Sequence, residues 1–280
     1  MTAAPDLYCV VGHPIAHSRS PWIHARFAEL TGQALVYEPL LAPVDGFAAA
    51  LAAFAARGGR GCNVTVPFKH EAAQCASQSS QRVQLAGAAN TLTVQPDGSW
   101  HADNTDGLGL VADIVQGAGR SIAGCDLLLA GAGGAAAGVL GPLLAQQPRR
   151  IVVTNRTAAR AQALVARHAE LAALHKVELL AQGQQGLEGD FDIIVNATAA
   201  SLAGGAIPVP AGALRPGALA YDMMYGPAAQ GFLDWARAQG GQPRDGLGML
   251  VHQAAAAFAL WRGVQPPAQQ VLAELRKTLS

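Results

Sequence analysis

Residues 126–138 read DLLLAGAGGAAAG. The apolar run Leu127–Ala130 leads into Gly131-Ala132-Gly133-Gly134-Ala135-Ala136, which fits the spacing GxGxx[G/A], and a small-residue helical stretch continues to Gln146. Strand, glycine turn and helix in that order are the parts with which a doubly wound sheet cradles a dinucleotide. The glycines let backbone approach a pyrophosphate, and the helix start offers N–H groups and the positive end of a dipole. Leu127–Ala145 is also 19 uncharged residues, the length of a membrane span. Its Gly131, Gly133, Gly134, Gly138, Gly141 and Pro142 and its alanines suit a turn and a packed helix better.

Further strands are expected at Ile151–Thr154, Lys176–Leu180, Phe191–Val195 and Leu219–Met223, with a helix over Ala158–His168. NAD sites usually place a carboxylate about 20 residues beyond the glycine turn, on the ribose 2′-hydroxyl. Here the second strand ends in Asn155-Arg156-Thr157, with Arg160 one turn on and no carboxylate. Two guanidiniums suit a 2′-phosphate, so the cofactor expected is NADP. Thr157 also reads as the N-cap of its helix.

Upstream, strands are expected at 7–11, 36–41 and 62–66, helices at 21–30, 46–57 and 69–76, and a hairpin over 90–101 around Pro96-Asp97-Gly98. A helix over Leu108–Gln116 ends at Gly117. The alternation implies α/β architecture with a parallel sheet here too. Two tail helices, Leu247–Trp261 and Ala268–Leu279, have no strand of their own and must bury their apolar faces elsewhere. They are expected to return to the first domain. The domains are then 1–105 with 247–280, and 106–246; a length of 280 residues suits two.

Apolar residues make up 51% and charged residues 14%, with 19 basic against 19 acidic. A balanced charge excludes broad capture of nucleic acid or anionic membrane. The four cysteines form no CxxC pair and none lies at metal-ligand spacing from a histidine, so neither a metal site nor a disulfide framework is expected. The first 25 residues lack an apolar signal region, which makes a cytoplasmic location the expectation.

Polar clusters stand where strands end: Ser18-Arg19-Ser20-Pro21, Asn63-Val64-Thr65, Asn90-Thr91 and Asp103-Asn104-Thr105-Asp106. Each has a structural explanation as well, with Ser20 as an N-cap before Pro21 at N1 and Asp106 as a cap. Lys69 stands out, because only three of the 19 basic residues are lysines. Interconverting a carbinol and a ketone by hydride transfer moves one proton at oxygen. A lysine held by a carboxylate can carry it, and Asp106 is the natural partner.

Together these strings closely resemble the shikimate dehydrogenase family over nearly the whole chain. They are Gly12-His-Pro-Ile-Ala-His-Ser-Arg-Ser-Pro21, Asn63-Val-Thr-Val-Pro-Phe-Lys69, Gly87-Ala-Ala-Asn-Thr91, Asp103-Asn-Thr-Asp-Gly107, Gly131-Ala-Gly-Gly134, Asn155-Arg-Thr157, Tyr221-Asp-Met-Met-Tyr225 and Asp245-Gly-Leu-Gly-Met-Leu-Val-His-Gln253. The resemblance implies two α/β domains with a cleft between them, an N-terminal substrate domain and a Rossmann NADP-binding domain. It implies reduction of 3-dehydroshikimate to shikimate in aromatic amino-acid biosynthesis. Ser18, Ser20 and Tyr225 would bind the substrate carboxylate. Thr65, Lys69, Asn90, Asp106 and Gln253 would surround the ring hydroxyls, with Lys69 and Asp106 as catalytic dyad. Gly131, Ala132, Gly133, Gly134 and Ala135 would hold the pyrophosphate; Asn155, Arg156, Thr157 and Arg160 the adenosine phosphate; Met223, Gly246 and Met249 the nicotinamide side. The partner implied is a small-molecule substrate, with a homodimer left open.

Two positions depart from the family pattern: Gln230 replaces a threonine, and Ala199-Ala200 precede Ser201 after Asn196-Ala-Thr198. Two other readings stay open. One is a quinate/shikimate dehydrogenase with relaxed substrate or NAD use, against which Arg156, Arg160 and the Ser18–Ser20 pair speak. The other is a catalytically silent NADP-binding sensor, against which the intact Lys69 and Asp106 speak.

Overall fold

A computed structural model describes residues 4–279, apart from 186, 188, 199–206, 208 and 211. The chain forms two compact units, Met1–Gly109 with Val251–Ser280, and Leu110–Leu250. The boundaries expected from sequence lie four residues earlier at each crossing.

The first unit holds β1 (Asp6–Gly12), α1 (Ser20–Thr31), β2 (Leu35–Leu41), α2 (Phe47–Ala56), β3 (Gly59–Val64), α3 (Lys69–Cys75), β4 (Gln78–Ser79), α4 (Gln81–Ala86), β5 (Thr91–Val94) and β6 (Trp100–Asp103). Its sheet runs β2-β1-β3-β5-β6-β4. The expected parallel sheet needs a correction. β2, β1 and β3 are parallel, but β5 is antiparallel to both β3 and β6. The Pro96-Asp97-Gly98 turn dictates the β5–β6 reversal, because a short hairpin can only reverse direction. Gly98 N–H donates to the Gln95 carbonyl at 2.9 Å and Gln95 N–H to that of Ser99 at 2.8 Å. One face of the sheet buries Cys9, Val11, Cys62, Val64 and Leu92 under Phe47, Phe54 and Phe68.

The chain crosses to the second unit through α5 (Asp106–Ala112), which widens into a π-turn over Asp113–Gly117 where a plain helix was expected. The second unit then adds β7 (Asp126–Ala130), α6 (Gly134–Leu144), β8 (Arg150–Asn155), α7 (Ala158–Arg167), α8 (Ala169–His175), β9 (Glu178–Gly183), β10 (Phe191–Asn196), β11 (Leu214–Asp222), α9 (Gln230–Ala238) and β12 (Gln242–Arg244). Every pairing is parallel, in the order β12-β11-β10-β7-β8-β9. That is the doubly wound dinucleotide order, and it reverses beside β7. β7 is buried throughout, as a strand covered on both faces must be. At the amino ends of the strands, buried Asp126 pairs with Arg149, Arg150 (3.3 Å) and Arg215 (3.0 Å), and Arg215 also reaches Asp192 at 2.6 Å.

The tail forms α10 (Leu247–Arg262) and α11 (Ala268–Leu279), and residues from Val251 onward belong to the first unit. Phe258 packs edge-on against Phe27 of α1 at 5.6 Å, and Arg26 pairs with Glu274 at 2.7 Å. No helix among the described residues is long and apolar enough to cross a membrane.

Two expected caps also need correction. Ser20 is inside α1, whose N-cap is Arg19, with Pro21 in the first turn. Thr157 occupies the N-cap of α7, but its side chain makes no capping bond; the Asn155 amide donates to the Thr157 carbonyl at 3.0 Å instead.

Candidate active site

Lys69 opens α3 and Asp106 opens α5. The Asp106 N–H donates to Asn104 Oδ1 at 3.1 Å. Its carboxylate, 10% exposed, accepts from Lys69 Nζ at 2.5 Å and from the Asn90 amide at 2.9 Å. The same Asn90 nitrogen lies 3.1 Å from Gln253 Oε1 and 3.0 Å from Thr105 Oγ1. Lys69, Asn90, Asp106 and Gln253 are thus brought together within the first unit. The Lys69 side chain keeps 26% exposure, enough to meet a ligand.

Ser18 and Ser20 lie at the start of α1, where Ser18 Oγ accepts the Ser20 N–H at 3.3 Å. Thr65 follows β3, and its N–H donates to the Val11 carbonyl at 2.9 Å. One residue on, the Val66 carbonyl accepts the His13 N–H at 3.0 Å, which ties the loop carrying Ser18 to the segment that leads into Lys69.

In the second unit, Gly131 has φ +117°, and a Cβ there would come within 3.0 Å of the Ala197 carbonyl oxygen. Only glycine takes that conformation readily. Gly133 caps α6 with no side chain, and a Cβ built on it meets nothing within 4 Å. The start of α6 therefore presents bare N–H groups beside an open cradle, which fits a pyrophosphate with Ala132, Gly134 and Ala135 around it. Asn155 ends β8, and Arg156, Thr157 and Arg160 follow it, exposed. Among the described residues neither guanidinium pairs with a carboxylate, which fits a 2′-phosphate. Met223 N–H donates to the Asn196 carbonyl at 3.0 Å and Gly246 N–H to that of Met224 at 2.8 Å. Met249 N–H donates to Tyr221 Oη at 3.2 Å. Met223, Gly246 and Met249 are thereby gathered about the end of β11. Tyr225 follows the same strand, before the 3₁₀ turn Gly226–Ala229.

The chain is 72% identical over 280 residues to "Shikimate dehydrogenase (NADP(+))" of Acidovorax sp. (strain JS42), covering 100% of this chain and 99% of the relative. It belongs to the shikimate dehydrogenase family. Profiles of the family match as "Shikimate dehydrogenase substrate binding domain" over residues 10–92, "Shikimate / quinate 5-dehydrogenase" over 113–203 and "Shikimate 5'-dehydrogenase C-terminal domain" over 246–276. Among solved structures, an Ael1 enzyme from Pseudomonas putida superposes with TM-score 0.88 at 44% identity, covering 96% of this chain and 98% of that one. The shikimate 5-dehydrogenase of Thermus thermophilus in complex with NADP(H) and shikimate gives TM-score 0.83 at 31% identity, covering 98% and 100%.

Behind the residues that the shikimate dehydrogenase pattern singles out lies a buried layer to which sequence reasoning assigned no role. Tyr37 Oη donates to Asn63 Oδ1 at 2.7 Å, and the Asn63 amide lies 3.2 Å from both the Asn90 carbonyl and Thr91 Oγ1. Thr105 N–H donates to Asn90 Oδ1 at 2.8 Å. Asp103 accepts both Arg82 nitrogens, at 3.0 and 2.7 Å, and the Ser80 hydroxyl at 2.7 Å. Burial alone would raise the Asp103 pKa, but these bonds outweigh it and hold the carboxyl below its ordinary value. The polar strings around Asn63 and Asp103 carried a signal for this layer; Tyr37, inside an apolar strand, carried none. Of the departures from the family pattern, Gln230 opens α9 and donates to Asp234 at 2.7 Å, whereas Ala199, Ala200 and Ser201 fall outside the described residues.

Proposed function

We propose that this chain catalyses the reversible NADPH-dependent reduction of 3-dehydroshikimate to shikimate, a step of aromatic amino-acid biosynthesis. The observation that carries the reading is the Lys69–Asp106 pair at 2.5 Å, with Asn90 and Gln253 beside it. We assign the unit of Met1–Gly109 and Val251–Ser280 to substrate binding and that of Leu110–Leu250 to NADP.

Ser18 and Ser20, with Tyr225, take the substrate carboxylate. Thr65, Asn90 and Gln253 hold ring hydroxyls. Gly131 to Ala135 take the pyrophosphate of NADP, and Asn155, Arg156, Thr157 and Arg160 its adenosine phosphate. Met223, Gly246 and Met249 lie along the nicotinamide. When bound, NADPH supplies the hydride that reduces the carbonyl carbon. Lys69 supplies the proton: its ammonium donates to the ketone oxygen as that oxygen gains charge, leaving a neutral amine. In the reverse direction the amine takes the proton from the shikimate hydroxyl. Asp106 keeps Nζ aimed throughout and stabilises the ammonium. The four cysteines are all free thiols, which suits the reducing cytoplasm where we place the reaction.

Initial rates with shikimate or quinate, each with NADP or NAD, test the reading. Shikimate with NADP is expected to give the highest kcat/KM. The carbon bearing the carboxylate is tetrahedral in quinate and carries an extra hydroxyl, so quinate is expected to fall at least about tenfold lower, the equivalent of one unpaired buried polar group. Equal efficiency with quinate would make the enzyme a dual-substrate dehydrogenase. No turnover of either acid would overturn the assignment.

A further inference from the structure

The second unit begins at Leu110, just before the π-turn at Asp113, and ends at Leu250, just after Met249; one buried carboxylate ties these two segments together. Asp113 is fully buried and accepts three bonds. Arg244 Nε and Nη2 approach it at 2.7 and 2.5 Å, and the Tyr221 hydroxyl at 2.8 Å. Burial first, and the Asp113 charge second, push the Tyr221 phenol well above its ordinary range, so it stays protonated and donates to Asp113. Its lone pair then accepts the Met249 N–H at 3.2 Å. The backbone around the carboxylate is shaped to admit it. A Cβ at Gly248 would overlap the Asp113 carboxylate, and one at Gly117 would strike both Asp113 and Arg244. The π-turn closes with Ala118 N–H donating to the Asp113 carbonyl at 2.8 Å. Such wide turns add a residue to one helical turn and recur at functional sites.

We propose that Asp113, acting through Tyr221 and Arg244, is a positioning residue that fixes the Arg244–Met249 segment and so sets where the nicotinamide half of the cofactor is held. The proposal rests on the assignment of Met223, Gly246 and Met249 to that half. Arg244 anchors the start of the segment and Met249 N–H its end, with Gly246 and Gly248 between two fixed points. None of Asp113, Tyr221 and Arg244 touches a reacting atom in this scheme. Their effect passes through the backbone they hold.

The test compares Tyr221→Phe, Gly248→Ala and Asp113→Asn with wild type in two measurements. One is kcat and KM for NADP with shikimate. The other is the dissociation constant, by calorimetry, of NADP and of 2′,5′-ADP, which carries the adenosine half alone. Tyr221→Phe removes only the hydroxyl. It is expected to lower kcat/KM for NADP roughly 3–10-fold and to weaken NADP binding, with 2′,5′-ADP held to within about twofold. Gly248→Ala should show the same split. Asp113→Asn should lose more, on the order of 100-fold, because Arg244 keeps its charge without a partner. A Tyr221→Phe enzyme with wild-type kcat, KM and NADP affinity overturns the proposal. Parallel loss of 2′,5′-ADP and NADP overturns it too, since the unit as a whole would then have loosened. Should Asp113→Asn or Gly248→Ala fail to fold, Tyr221→Phe, which removes only a hydroxyl, decides. Should wild type prove inactive on shikimate, the proposed function fails, and the contrast between NADP and 2′,5′-ADP binding still judges the positioning role.

Discussion

At the scale of single residues, the two carboxylate oxygens of Asp106 are divided between two donors, Lys69 Nζ at 2.5 Å and the Asn90 amide at 2.9 Å. Lys69→Ala removes the proposed proton carrier and is expected to lower kcat by ~10²–10⁴-fold. NADP affinity, measured by fluorescence titration, should hardly change, because the pyrophosphate and adenosine residues stand on other elements. A variant that keeps most of its kcat at saturating substrate would remove Lys69 from the mechanism. A second residue makes a prediction about acid. His24 is fully buried, stacked on Tyr37 with ring centroids 4.1 Å apart, and among the described residues no hydrogen bond reaches either ring nitrogen. Burial pushes its pKa down to about 3. Above its unfolded value of 6.5 the imidazole is neutral in both states and adds no pH dependence. As pH falls from there toward 3 the unfolded chain takes up a proton that the fold refuses. The first unit then loses up to ~1.4 kcal/mol per pH unit. Denaturant melts at pH 7 and pH 5.5 should show this slope in wild type. It should be flatter by about that amount in His24→Phe, which keeps a ring in the stack; identical slopes would refute the argument.

Among the elements, those with a strong local signal were readable and those without were not. The β7–turn–α6 unit could be read because buried strands and glycine turns are local properties. The hairpin over β5 and β6 followed from its turn residues. The two-residue β4, the three-residue β12 and the short helices α4 and α8 were not foreseen, since each is too brief to show a period; the nine-residue α9 was missed as well, although its buried Phe232 and Ala236 stand at helical spacing. Caps were misread for a related reason. Which residue caps depends on where the backbone enters helical angles, and Arg19 rather than Ser20 holds that position. Thr157 stands at the cap of α7 with its side chain unused there. The β8–α7 junction carries the cofactor prediction. Arg156 is exposed and pairs with no carboxylate among the described residues, so a 2′-phosphate can claim it. A charge-assisted bond contributes ~1.5–3 kcal/mol. Arg156→Ala should therefore weaken NADP roughly 10–150-fold while NAD loses much less. Titrating both cofactors checks this; equal losses would mean that Arg156 reads the adenosine and not its phosphate.

At the scale of the whole molecule, each unit has its own fastening. In the second, Asp126 gathers Arg149, Arg150 and Arg215 at the amino ends of the parallel strands, away from the glycine turn at their carboxyl ends. Asp126→Ala leaves the mostly buried Arg150 without a carboxylate among the described residues, while Arg215 keeps Asp190 and Asp192 and Arg149 turns to solvent, and should destabilise that unit by about 1–3 kcal/mol. Hydrogen exchange is the measurement: amides of β7, β8, β10 and β11 should lose protection while those of β1 and β3 keep theirs. Uniform loss across both units, or none, would contradict this. The first unit is fastened by the tail, whose Phe258 and Glu274 meet Phe27 and Arg26 of α1. The return of the tail could be inferred from two helices with apolar faces to bury and no sheet of their own. Which helix they would meet could not, because such contacts join residues more than two hundred positions apart. By itself the amino-acid sequence determined the doubly wound unit, the cofactor turn and the identities of Lys69 and Asp106, since these rest on local backbone preference and on the chemistry of particular side chains. The tertiary structure decided how β4 to β6 join the first sheet, that Tyr37 and Asn63 stand behind Asn90, and that Asp113 meets Arg244 and Tyr221. Those pairings arise where distant segments are packed and their buried polar groups must find partners, which no local pattern records.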